Sequence, residues 1–148
     1  FNFLQGLETL SLRMDRHWAN AQRVGEYLAQ HAQVEEVFYA GLPTSKWHER
    51  AKRYGRGKGY GSVLAFNIKG GVEAGQKFVA GLKLHSHVAN IGDVRSLVIH
   101  PASTTHSQLT PAEQASTGVF PGLVRLSVGL ETIEDILADL DEGFKAAK

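Results

Sequence analysis

Leu123-Val124-Arg125-Leu126-Ser127-Val128, closed by Gly129, is the stretch on which the reading of the whole chain turns. Alternate side chains of an extended strand share a face. Val124, Leu126 and Val128 therefore point one way and Leu123, Arg125 and Ser127 the other. The first set needs a core. The second carries a guanidinium, which is either a solvated charge on the free side of a sheet or a planar donor set that receives an anion. Ser127 on the same face and Gly129 after the strand favour the second reading, but spacing alone leaves both open.

Downstream, Thr132 begins a last helix whose apolar stripe is Ile133, Ile136, Leu137, Leu140 and Phe144. Glu134 and Asp135 sit in its first turn and Lys145 near its end, where each suits the helix dipole. Upstream, Pro121-Gly122 introduces the strand. Thr110-Pro111-Ala112-Glu113 reads as a helix start, with Thr110 as cap, Pro111 in the first helical position and Glu113 closing a capping box. Ser96–His100 and Leu84–Ala89 predict two strands separated by a turn at Gly92-Asp93, and Val72, Gly75, Phe78, Val79 and Leu82 predict a helix face after Gly70-Gly71. Ser62–Ile68 and Val34–Tyr39 predict two more strands. Between them, Thr44 can cap a helix carrying Trp47, Ala51 and Tyr54.

At the front, Leu4, Leu7, Leu10, Met14, Trp18, Ala21, Val24 and Leu28 keep helical spacing over about 25 residues, or roughly 40 Å. One helix of that length, with no evident N-cap, normally crosses between lobes or packs on a partner. The chain also opens Phe1-Asn2-Phe3-Leu4 and has its only methionine at Met14, so a missing upstream part is expected. The sum is an α+β layer of about five short strands with helices on one face and a long leading helix.

The totals remove several function classes. At 148 residues with 43% hydrophobic content the chain can bury a real core. A net charge of +1 gives no general attraction to nucleic acid or to a membrane surface, and no apolar run approaches a membrane span. Cysteine is absent, which removes disulfides, thiol nucleophiles and cysteine metal sites and fits a cytoplasmic setting.

Other chemistry reads more weakly. His85 and His87 would share a strand face, with His100 and His106 nearby, but no carboxylate or third ligand falls at a telling spacing for zinc. Arg53-Tyr54-Gly55-Arg56-Gly57-Lys58-Gly59-Tyr60-Gly61-Ser62 suggests a phosphate or RNA contact. It lacks the P-loop and GxGxxG patterns, and the low net charge weighs against nucleic acid. No nucleophile elbow is present. Asn90–Ser107 is dense in small and polar groups between apolar stretches, as binding loops are.

Two of these stretches carry a resemblance. Asn90–Leu109, centred on His100-Pro101-Ala102-Ser103-Thr104-Thr105-His106-Ser107, and Pro121–Glu131 closely resemble the C-terminal part of the Cys/Met-metabolism family of pyridoxal-phosphate enzymes. The likeness extends over essentially the whole chain, including Gln5-Gly6-Leu7-Glu8-Thr9-Leu10 at its start. It implies the small C-terminal domain of a fold-type I enzyme, with a short, mostly antiparallel sheet. Residues 1–148 would be the substrate-binding domain and residues 1–30 a long interdomain helix. By position, Arg125 would hold the substrate α-carboxylate, Asn90 would line that site, and Thr105 would fall at a further lining position. Many relatives have serine where Asn90 stands. With Gly92-Asp93-Val94-Arg95, that departure leans toward the sulfhydrylase branch and away from the lyases.

The implied activity is γ-replacement, in which sulfide or a small thiol displaces the acetoxy group of O-acetylhomoserine to give homocysteine or methionine. The alternatives are the succinyl ester, cystathionine γ-synthesis and methionine γ-elimination. The cofactor is pyridoxal 5'-phosphate, with its lysine, stacking aromatic and phosphate ligands expected upstream of Phe1. Thr44-Ser45-Lys46 only superficially echoes a cofactor lysine. No catalytic, cofactor-binding or metal-binding residue is expected here, and the 148 residues alone should be inactive. The expected partners are a small amino-acid substrate and further copies in a dimer or tetramer, with neither nucleic acid nor membrane. A non-catalytic ligand-binding module is the alternative from another class.

Overall fold

A computed structural model describes all 148 residues. Its helices are α1 (Asn2–Glu8), α2 (Leu10–Gln30), α3 (His48–Tyr54), α4 (Gly71–Gly81), α5 (Pro111–Ser116) and α6 (Ile133–Ala146). Its strands are β1 (Val34–Phe38), β2 (Val63–Ile68), β3 (Ser86–His87), β4 (Leu97–Ile99) and β5 (Leu123–Ser127), in the sheet order β1-β2-β5-β4-β3. Every pairing is antiparallel except β3 with β4.

β2 and β5 form the centre because each presents an unbroken apolar row to one side: Leu64, Phe66 and Ile68 on one, Val124 and Leu126 on the other, continued by Val128. α2, α4 and α6 cover that side with Ala21, Val24 and Leu28, Ala74 and Phe78, and Ile136, Leu140 and Phe144. Phe66 meets Phe78 edge-on at 5.4 Å between ring centres, and Phe144 completes the group at 4.8 Å from Phe78. A Cβ at Gly143 would lie 2.9 Å from the Phe78 ring, so this residue sets how closely α6 packs on α4. Of the stripe expected on α6, Ile136, Leu140 and Phe144 are buried and Ile133 and Leu137 partly so, and the capping box between Thr110 and Glu113 is formed on α5.

Four expectations are corrected. The leading helix is broken at Thr9, whose backbone turns to φ −102°, ψ 4°; Arg13 bridges the break by donating to the Gly6 carbonyl and the Thr9 hydroxyl. Leu4, Leu7 and Leu10 stay exposed, and burial starts only at His17. Thr44 caps nothing. Turns closed by Ser45 N–H to the Leu42 carbonyl and His48 N–H to the Ser45 carbonyl take up the chain, and α3 begins at His48.

The strand expected over Leu84–Ala89 shrinks to Ser86–His87. Just before it, the Lys83 and His85 amides donate to the Asp139 carboxylate, not to a strand. His85 and His87 consequently do not share an environment. His85 is buried against Asp139 and His87 is exposed.

Candidate functional site

Arg125 lies mid-strand on β5, paired across to Ala65 on β2 and Ile99 on β4. Its two cross-strand neighbours are therefore a small side chain and an aliphatic one, and the guanidinium is half-buried on the side away from the three helices. It makes one hydrogen bond within the chain, from Nη2 to the Asn90 carbonyl at 2.7 Å, and no ion pair. The rest of its donor fork has no partner in the chain. Ser127 Oγ and Asn67 Oδ1 share that sheet face, are buried, and also make no hydrogen bond.

Of the sequence-predicted residues, Arg125 and Asn90 meet directly. They meet through the Asn90 backbone, which any residue could supply; the Asn90 side chain turns back to accept from the Ile91 amide at 2.8 Å. Thr105 is exposed, its hydroxyl 2.8 Å from Nδ1 of its neighbour His106, and it joins no hydrogen bond of the Arg125 group.

A polar frame that the sequence reading missed fixes the end of β5. From α2, the Asn20 amide donates to the Gly129 and Glu131 carbonyls at 3.0 and 2.9 Å, and His17 Nδ1 lies 2.6 Å from the Val128 carbonyl. The Glu131 carboxylate accepts from the Ser96 amide and hydroxyl at 2.6 and 2.8 Å, and the Gly129 amide donates to Ser96 Oγ at 2.9 Å. Gly129 is required here, because a Cβ would lie 2.5 Å from the Arg95 and Ser96 backbones.

The Asn90–Ser96 loop is thus tied to β5 and the loop after it by Arg125, by Leu130 N–H on the Val94 carbonyl at 2.8 Å, and by Glu131. Within the loop, Asp93 receives the Arg95 amide at 3.0 Å and pairs with its guanidinium, and these contacts hold the Asp93 carboxyl below its ordinary pKa. His17 and Asn20 gave no sequence signal, and Ser96 and Glu131 lay within the two motif stretches without a role of their own. Polar residues on an otherwise apolar helix face were the available clue.

The histidines considered for zinc do not converge. His85 Nδ1 bonds Asp139 at 2.7 Å, and both His100 nitrogens are engaged, with Ser103 Oγ at 2.8 Å and the Pro121 carbonyl at 2.7 Å. Burial lowers the His100 pKa and keeps the ring neutral at the start of β5. A cleft of about 510 Å³ lies at the other edge of the sheet between β1 and Thr44–Trp47, and Arg125 does not line it.

The arrangement therefore offers a half-buried, preorganised cation with free planar donors, fit for one carboxylate.

The model of the family described as Cys/Met metabolism PLP-dependent enzyme matches residues 1–145. An O-acetyl-L-homoserine sulfhydrylase of Leptospira meyeri is 57% identical over 98% of this chain and 33% of its own length. An L-methionine gamma-lyase of Fusobacterium nucleatum subsp. polymorphum is 45% identical over 98% of this chain and 36% of its own. A solved structure from Campylobacter jejuni, assigned as an O-acetylhomoserine (thiol)-lyase and carrying a pyridoxyl-lysine phosphate, superposes with a TM-score of 0.89. It shares 38% identity over 96% of this chain and 34% of its own. The chain spans about a third of the length of the curated relatives it matches.

Proposed function

We propose, from the premise that this chain belongs to the Cys/Met metabolism family of PLP-dependent enzymes, that it is the C-terminal substrate-binding lobe of a γ-replacement enzyme. The substrates would be O-acetylhomoserine and sulfide or a small thiol, and the product homocysteine or methionine. The single observation that carries the role of the lobe is the half-buried Arg125 fork, held by one backbone carbonyl and otherwise free. A point charge could attract a carboxylate, but a fork also orients it. The choice of the sulfhydrylase branch rests on identity, 57% against 45% for the lyase.

No lysine of this chain is placed to form the cofactor's imine. An imine-forming lysine is activated by desolvation or a neighbouring cation, whereas all eight lysines here are exposed. Lys46, the one whose context echoed a cofactor lysine, lies over the Trp47 ring at 5.2 Å. In this family the cofactor carries the bond-breaking chemistry, and the share assigned to these residues is orientation, which can supply several kcal/mol of barrier lowering. Asn90 contributes through its carbonyl. Thr105 is retained only as a lining residue, on the family likeness.

Phe1 and the exposed apolar residues of α1, with Phe1 and Phe3 at 90% exposure each, support packing against other parts of a larger, oligomeric enzyme. A cytoplasmic setting belongs to the same reading; no helix is long and apolar enough to cross a membrane. The test is a steady-state comparison of the full-length enzyme on O-acetylhomoserine plus sulfide, O-succinylhomoserine plus sulfide, and methionine alone. The highest kcat/KM is expected on the acetyl ester. Efficient elimination from methionine without replacement on either ester would overturn the assignment.

A further inference from the structure

The segment from Lys46 to Lys58 has no part in the proposed reaction. It holds Lys46, Arg50, Lys52, Arg53, Arg56 and Lys58 against a single acid, Glu49, a net +5 within a chain whose total is +1. The low total had weighed against nucleic acid; along the sequence the charge is segregated, and in the fold Glu36 lines the cleft beside Lys46 and Asp15 the one beside Lys58. All six cations are exposed, and none makes an ion pair or a side-chain hydrogen bond within the chain. Elsewhere seven of the ten lysines and arginines are engaged in this way: Arg13, Arg23, Lys69, Lys77, Arg95, Arg125 and Lys145.

Aromatic rings are interleaved with these cations. Trp47 and Tyr54 are 50% and 70% exposed. The Arg50 guanidinium lies 5.0 Å from the Trp47 ring centre and that of Arg53 lies 5.2 Å from the Tyr54 ring centre. Guanidinium–aromatic pairs offer flat faces on which a base can stack, beside cations that meet phosphates. An acidic peptide would use the charge but has no use for two exposed rings.

We propose that Lys46–Lys58 is a contact surface for single-stranded nucleic acid, at the β1 edge of the sheet and two strands away from β5.

The test is fluorescence anisotropy of a labelled 12-nucleotide oligouridylate with the purified full-length protein, in about 50 and 200 mM salt. If about four phosphates are met, affinity falls roughly 50-fold between those salts. Replacing Arg50, Arg53 and Arg56 together with glutamine flattens the salt dependence. Trp47→Ala weakens binding about fivefold or more at unchanged salt slope, because it removes stacking and leaves charge intact. These side chains are exposed, and unchanged circular dichroism assigns any loss to contact. No binding at 50 mM salt, equal binding of a polyglutamate peptide, or indifference to both variants overturns the proposal.

Discussion

The two faces of the central sheet are made by the same strands and do opposite work. On one face Leu64, Phe66, Val124 and Leu126 are closed under three helices. On the other, Arg125, Ser127 and Asn67 hold polar atoms without partners. Period-two alternation lets one strand serve both: the apolar residues fix the height and twist of β5, and that fixed backbone aims Arg125. The packed face should register in stability and the polar face in function, and each substitution below tests that division.

The largest stability effect belongs to the packed face. Phe66→Ala empties a site shared by Phe78 and Phe144, and a buried Phe→Ala change costs about 3–5 kcal/mol. Urea unfolding measures it. A loss below about 1 kcal/mol would mean that this face is not the core.

Next is Asp139, buried on α6 and accepting from His85 Nδ1 and the Lys83 and His85 amides. Burial alone would raise its pKa, but these hydrogen bonds outweigh burial and hold the carboxyl well below the ordinary range. The folded pKa lies below the unfolded value, so the contribution is complete above about pH 5 and is lost as pH falls below about 4. Asp139→Asn should cost about 2–4 kcal/mol at neutral pH. It should also flatten the loss of stability between pH 5 and pH 3; an unchanged slope would remove Asp139 as its source.

The smallest effect tests the frame joining the faces. Asn20→Ala leaves two carbonyls at the end of β5 unpaired and should cost about 1–2 kcal/mol of stability. In the full-length enzyme KM should rise more than kcat falls, because the guanidinium is misaimed but not removed. Stability loss with unchanged KM would make Asn20 purely structural.

Much of the packed face could be read from sequence, since Val124-Arg125-Leu126 alternates and the α6 stripe repeats at helical spacing. The Thr110 cap was equally legible, because its partners lie three residues apart. What escaped were contacts made across the fold. His17 and Asn20 reach residues 109–111 positions away, and Asp139 takes amides from a segment 54–56 positions earlier, which is why an expected strand shortened. The break at Thr9 escaped for another reason: the apolar spacing continues across it, and no burial enforces a single helix there. At the candidate site, Arg125 was legible as an odd charge in an apolar strand. That Asn90 serves through its carbonyl was not.

The central claim is that Arg125 holds a substrate carboxylate, and the direct measurement is a two-by-two comparison in the full-length enzyme. Wild type and Arg125→Ala are assayed for kcat/KM on O-acetylhomoserine and on its α-carboxamide analogue. On the natural substrate the substitution should cost about 2–5 kcal/mol, roughly 30- to several-thousand-fold, with Arg125→Lys recovering little. On the carboxamide the two enzymes should differ by less than about threefold, since the charge that Arg125 meets is gone. An equal penalty on both substrates, or near-wild-type kcat/KM for Arg125→Ala, would contradict the account.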